Sequence, residues 1–362
     1  MGCEGWIESA IDATGCRVIP LRGGRGGLPV RAVVAGATGF LGGYLLEALL
    51  ASGVEPVALV RQGSDLHLIN RLGVEKRFGD LLDLNSLNQA LRGGEILFNA
   101  AGKVADWGSW KEFLDLNRGG TAHLLAAAIR NRVRRFVQVS SVSAYGMRFL
   151  DSRLLVEETP FRPSPVGRDF YCRSKYLAEQ EVKSASREGG IEFVILRPGI
   201  ILGERDSSVT RRISSLAQRQ ERVLNVGGLK EKIQLNHARD VARAVVLAGL
   251  HGPTNEIYNV SCPPEISKFE FWTRALKALH LQKEIREVSY PLGLAAGWMF
   301  EQAHRLWGKR GAPEITLWSV YLMGNRNLID SSKIFSLGWR PQEDIARTVE
   351  NSFRQYVYTP NG

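Results

Sequence analysis

A chain of 362 residues, 44% hydrophobic and 23% charged, has enough apolar material for one large domain or two modest ones, in the balance of a soluble globular protein. Its formal net charge of +10 favours anionic partners such as phosphate-bearing cofactors or acidic lipid surfaces, but no zinc-finger spacing or aromatic-rich RNA-binding signature accompanies it, which argues against nucleic acid. No stretch reaches the roughly 18 apolar residues that cross a bilayer, and no signal-peptide core opens the chain. Cys3, Cys16, Cys172 and Cys262 show no C-x-x-C spacing and read as free thiols of a reducing, cytoplasmic compartment.

Residues 1–29 are glycine-rich, with acids early and arginines late, which fits a poorly ordered extension or an over-long translation start and argues against a mitochondrial presequence. From residue 30 onward, β-branched runs at 31–35, 56–61, 74–79, 96–100, 134–140 and 192–197 alternate with helical-period segments at 40–52, 83–92, 109–131 and 171–189. That rhythm predicts an α/β fold, a doubly wound parallel sheet covered by helices on both faces. The later chain predicts helices at 207–222, 238–250, 267–280, 292–308, 314–323 and 343–356, with short strands near 256–260 and 285–288. The expected organisation is a dinucleotide-binding domain at 30–203, completed by about 236–262, with a mostly helical substrate-binding portion at 204–235 and 263–362.

Directly after the first strand stands "AGATGFLGG". Gly36, Gly39 and Gly42 at G-x-x-G-x-x-G spacing permit a tight turn and close approach of a pyrophosphate, while the amides and dipole of the following helix supply the positive end. Thr38, Phe40 and Leu41 in the same turn join them as cofactor-binding residues. The second strand ends in Arg61, where an NAD-selecting site would carry an acid for the ribose 2′-hydroxyl. Arginine suits a 2′-phosphate, so NADP is expected over NAD; the alternative is an ordinary surface arginine.

The strand at 134–140 runs into "SSVSAYG", which sets Ser140, Ser141 and Ser143 near the carboxyl edge of the sheet, where open α/β folds bind ligands. "FYCRSKYLAEQEV", 170–182, then opens a helix in which Tyr171 and Lys175 share a face one turn apart. A neighbouring ammonium favours phenolate, so the spacing predicts a tyrosine acid/base whose pKa Lys175 lowers. His237 and Asp240 read as helix anchors rather than catalysts. No metal site is expected. Within 291–323, Trp298, Met299, Phe300, Trp307, Trp318, Tyr321 and Met323 collect beside Arg305, Lys309 and Arg310. Such a cluster could pack a core, line an apolar pocket or contact a membrane surface peripherally.

Taken together, "GATGFLG", "GDLLD" at 79–83, "NAAG" at 99–102, "DLNRGGT" at 115–121, "VSSVSAYG", "YCRSK" and "ILRPGIILG" at 195–203 resemble the extended short-chain dehydrogenase/reductase family over residues 31 to about 356. The form of the last motif is similar to the 3β-hydroxysteroid dehydrogenase-like branch. By that resemblance Asp80 and Leu81 lie by the adenine, Ala100, Ala101 and Gly102 pack against the cofactor, Pro198 adjoins it, and Lys175 holds its ribose. Ser141, Tyr171 and Lys175 take the catalytic places, with Asn117 supporting the site. Sugar-nucleotide members usually carry Asn three residues after the motif's arginine; here Ile200 follows Arg197 at that distance. The resemblance thus implies an NADP-dependent oxidoreductase interconverting a secondary alcohol and ketone on a hydrophobic sterol, triterpenoid or β-hydroxy/β-keto acid, and is compatible with a homodimer. The alternatives are a nucleotide-sugar epimerase, dehydratase or reductase, and an inactive cofactor-sensing protein.

Overall fold

The computed structural model describes residues 29–147, 153–164, 168–307, 311–324 and 326–357, together with a short backbone pairing of Ala10–Ile11 with Arg17–Val18. The expectation for residues 1–29 otherwise falls outside the described residues, as do Cys3 and Cys16; Cys172 and Cys262 are free and buried.

Seven parallel strands make the central sheet: β1 (Arg31–Ala35), β2 (Glu55–Val60), β3 (Glu75–Phe78), β4 (Ile96–Asn99), β5 (Arg135–Val139), β6 (Glu192–Pro198) and β7 (Glu256–Val260). Their spatial order is β3-β2-β1-β4-β5-β6-β7, with every pairing parallel. Because side chains alternate along a strand, each face builds its own core. On one face Ala32, Val34, Phe98, Val137 and Val194 pack with Leu45, Leu46 and Leu49 of α1 (Phe40–Ala51) and Val241 and Val245 of α5 (Ala238–His251). On the other, Val33, Ala35, Leu97, Phe136 and Ile195 meet Leu87 of α2 (Leu84–Ala90), Leu124 and Leu125 of α3 (Gly120–Arg130) and Val182 of α4 (Phe170–Arg187). This is a doubly wound α/β fold.

The order reverses at β1, which pairs with β2 on one side and β4 on the other. A crevice opens there at the strands' carboxyl ends. The later chain adds α6 (Lys268–Ala278), α7 (Tyr290–Leu306), α8 (Leu317–Gly324) and α9 (Ile345–Arg354). It also contributes parallel strand pairs, Ile200–Leu202 with Leu235–His237 and Arg222–Val226 with Glu284–Val288.

One helix departs from its predicted form. The segment 109–131 is not one regular α-helix: a single turn at Trp110–Phe113 passes into a π-helical stretch at Leu114–Gly119 before α3 begins. Wide turns of this kind insert a residue and re-aim side chains, and the one re-aimed here is Asn117.

Candidate functional site

The glycine turn is built around a close approach of two backbones. Gly36 has φ +81°, and a Cβ on it would stand 2.7 Å from the Ala101 amide nitrogen and 2.8 Å from the Ala100 carbonyl carbon. The Ala100 amide in turn donates to the Ala35 carbonyl at 3.0 Å, so the two turns after β1 and β4 are locked together at the crevice. A Cβ on Gly42 would fall 2.0 Å from the Gly36 carbonyl oxygen. Gly39 is the N-cap of α1 and offers no side chain to its first-turn amides, which leaves them for an anion. These features fit a dinucleotide pyrophosphate. Thr38 and Gly39 are exposed at that turn, Phe40 and Leu41 half-buried, and Arg61 exposed at the end of β2.

Asp80 and Leu81 follow β3. Asp80 Oδ1 accepts from the Leu82 amide at 2.9 Å, and the Leu81 side chain lies against Gly120, where a Cβ would come within 3.1 Å of it. Gly102, with φ +149°, is exposed, and its missing Cβ would meet Asn117 Oδ1 at 2.6 Å and Lys175 Nζ at 4.0 Å. Pro198 ends β6 buried, and the next amide, Gly199, donates to the Val260 carbonyl at 3.0 Å.

Asn117 is the clasp of the site. Its Oδ1 accepts from the Lys103 amide at 2.6 Å, while its Nδ2 donates to the Lys103 carbonyl at 3.0 Å and to Ser174 Oγ at 2.8 Å. The loop after β4 is thereby tied to α4 beside Lys175. The Lys175 ammonium is buried and donates to the Val139 carbonyl at 3.0 Å, and burial lowers its pKa to about 8 against the charge of Glu179.

Tyr171 is buried next to Ser141, whose hydroxyl accepts the Ser143 amide at 3.1 Å and hydrogen-bonds the phenol. The structure corrects the electrostatic expectation here. Burial dominates and pushes the Tyr171 pKa well above the usual phenol range; the Ser141 bond opposes it, and Lys175 is not among the groups that act on it. Helical spacing puts the two side chains on one face, but the ammonium turns toward the Val139 carbonyl. Burial thus disfavours the Tyr171 phenolate.

The cavity against Tyr171 is small, about 20 Å³, room for a single water. Trp107, Phe113, Phe170 and Trp318 wall it, with the Tyr171 and Trp318 rings edge to face at 6.0 Å. Glu301 and Arg168 also line it as an ion pair, their carboxylate and guanidinium 3.6 Å apart, and the Leu317 amide donates to Glu301 at 2.8 Å. Burial raises the Glu301 pKa against those two partners. Asp106 is paired with Arg212 and accepts from Thr316 Oγ1 at 2.9 Å, which anchors the Trp107 loop to the later chain.

Sequence reasoning brought Ser141, Asn117, Tyr171 and Lys175 to one place and missed what stands behind them. Glu179, two turns beyond Tyr171, accepts Ser140 Oγ at 2.6 Å and grips Arg197 with both oxygens. The Arg197 guanidinium also lies 4.6 Å over the Tyr145 ring. The i, i+4, i+8 spacing of Tyr171, Lys175 and Glu179 was the available signal. Trp318 was already among the aromatic residues expected to line a pocket or pack a core, whereas Glu301 and Arg168 had no signal, because their partners come from distant parts of the chain. His237 caps α5 by accepting the Arg239 amide, and Asp240 Oδ1 holds the Gln342 amide at 2.9 Å.

Comparison with known proteins bears on family and fold. The model of the NAD dependent epimerase/dehydratase family matches residues 32–261. The 4-hydroxy-2-methyl-3-oxo-4-farnesyl-3,4-dihydroquinoline-1-oxide ketoreductase of Stigmatella aurantiaca is 30% identical over 84% of this chain and 90% of its own length. Sterol demethylase protein B of Methylococcus capsulatus is 36% identical over 63% of this chain and 69% of its own. Among solved structures, gox2253 superposes with a TM-score of 0.72 at 27% identity, covering 90% of this chain and 98% of that one.

Proposed function

The chain belongs to the NAD dependent epimerase/dehydratase family and is an NAD(P)-dependent oxidoreductase of the extended short-chain dehydrogenase type, and on that premise we propose that it uses NADP to reduce a ketone on a hydrophobic, lipid-like substrate to a secondary alcohol. The observation that carries the reading is the Tyr171 phenol, buried beside Ser141 at a cavity lined by Trp107, Phe113, Phe170 and Trp318 together with Arg168, Glu301 and Arg305. Reduction needs a proton at the carbonyl oxygen, and the Tyr171 hydroxyl, protonated at neutral pH as any phenol is, is the group to give one. The reverse oxidation calls for phenolate.

The Gly36–Gly42 turn and the α1 amides would hold the dinucleotide, which would supply hydride exchange at the substrate carbon. Tyr171 donates the proton to the oxygen. Ser141 hydrogen-bonds the same oxygen and polarises the carbonyl. Lys175, beside Gly102, would hold the ribose. Arg61 at the end of β2 favours a 2′-phosphate, which supports NADP.

The aromatic part of the lining favours an apolar ring or chain, with Arg168, Glu301 and Arg305 as its polar part, and the ketoreductase and sterol relatives support a sterol, triterpenoid or β-keto acid. A substrate of that size requires Trp107 or Trp318 to swing aside. Purified protein mixed with NADPH and a panel of ketosteroids, alkyl β-keto acids and nucleotide sugars tests the reading: absorbance loss with the first two classes supports it. Turnover confined to the nucleotide sugars, or none at all with measurable NADPH binding, would sink it.

A further inference from the structure

Helix α7 has two faces of opposite character. Tyr290, Gly293, Gly297 and Glu301 are buried, and the two glycines let the helix close on its neighbours: a Cβ on Gly297 would stand 3.3 Å from Val320, and one on Gly293 2.9 Å from Val226. Glu301 and Arg305 also line the cavity against Tyr171. The outward side is apolar. Leu292, Met299 and Leu306 stand seven residues apart, and so nearly in line along the helix, at 61%, 59% and 85% exposure. Trp298, Phe300 and Trp307 flank that line and are also exposed. A lone exposed leucine is ordinary, whereas six large apolar side chains on one helix mark a contact surface.

We propose that the outer face of α7 docks on an anionic lipid bilayer, lying in the plane of the headgroups. Three observations favour this occupant over a second copy of the chain. A 17-residue helix measures about 25 Å by 10 Å and offers a few hundred Å², short of the roughly 800 Å² each partner of a stable complex buries. The net charge of +10 repels a like chain and attracts an acidic surface. Tryptophans at the helix's middle and end, with Arg305 exposed beside them and its guanidinium 5.2 Å over Trp107, are the side chains that sit at a headgroup boundary. No helix among the described residues is long and apolar enough to cross the membrane, so the contact lies on the surface. The docking stands apart from the reaction proposed above, because it rests on exposed side chains and on none of the catalytic groups.

The experiment is co-sedimentation of the full chain with vesicles of phosphatidylcholine alone or mixed with phosphatidylglycerol. The native chain is expected to pellet with the mixed vesicles and to be released by salt. A triple variant, Leu292→Glu, Met299→Glu and Leu306→Glu, is expected to lose partitioning by about tenfold or more. These side chains point into solvent, so its melting temperature and NADPH affinity should stay those of the native chain; Trp307→Glu, at the helix end, gives an independent variant with a smaller loss. The proposal is overturned if the native chain stays in the supernatant with both vesicles, if the triple variant pellets as well as the native chain, or if the native chain is a dimer that the triple variant splits.

Discussion

Arg197 and Glu179 form a two-pronged ion pair in the interior, Nε to Oε1 at 2.9 Å and Nη2 to Oε2 at 2.6 Å, with side chains 5% and 0% exposed. It joins β6 to α4 one turn beyond Lys175 and, through Ser140, to the end of β5, so the three elements that carry the site share one charge-assisted joint.

Removing one partner leaves the other charged and buried. Glu179→Gln or Arg197→Met should each lower unfolding free energy by about 3–5 kcal/mol, and the double change Glu179→Leu with Arg197→Met should cost less than their sum. Urea denaturation measures this; single variants within about 1 kcal/mol of the native chain would show that the joint carries little.

A methyl at Gly42 has nowhere to go, since the obstacle is the Gly36 carbonyl oxygen at 2.0 Å and backbone does not step aside. Gly42→Ala is expected to weaken NADPH binding more than tenfold and to destabilise by about 2 kcal/mol. Gly53→Ala is the control: its φ is +70° but nothing lies within 4 Å, so it should carry only left-handed strain of about 1 kcal/mol and leave cofactor affinity intact. Calorimetric titration separates the two.

Tyr171→Phe removes one oxygen from the edge of the cavity. The turnover number should fall at least about a hundredfold, the share general acid catalysis supplies, while NADPH affinity holds within about twofold. Unchanged turnover would assign the proton to another group.

Lys175 titrates near 8 in the folded chain against an ordinary value of 10.5. Between those values the unfolded chain binds a proton that the native chain does not, so this group makes stability rise with pH across that window. Lys175→Met should therefore be stabilised relative to the native chain below pH 8, with the difference shrinking toward pH 10.5. Melting temperatures of both proteins at matched pH test the sign.

Arg61 is exposed and has no side-chain hydrogen bond or ion pair to another described residue. Arg61→Asp should raise the Kd for NADPH by about tenfold or more through a lost phosphate contact and leave NADH little changed. Equal effects on both cofactors would make it a surface arginine.

Much of this molecule could be read before folding, for reasons of range. The strand-helix alternation, the glycine turn after β1 and the sharing of one helix face by Tyr171 and Lys175 are local, set by pleat, helical period and the steric freedom of glycine over a few residues. The π-helical turn at Leu114–Gly119 was invisible because Asn117 chooses its backbone to suit Lys103 and Ser174, one earlier and one much later in the chain.

What the amino-acid order determined alone was the α/β alternation and the cast of residues at the sheet's carboxyl edge, since each follows from neighbours along the backbone. What only tertiary structure decided was their chemical state and surroundings. Burial, not the lysine one turn away, sets the direction in which the Tyr171 pKa moves. Burial on both sides turns Glu179 and Arg197 into a joint, and the seating of α7 on Val320 and Val226 leaves Leu292, Met299 and Leu306 facing outward. Desolvation depends on everything that surrounds a group, and surroundings do not exist until distant segments meet.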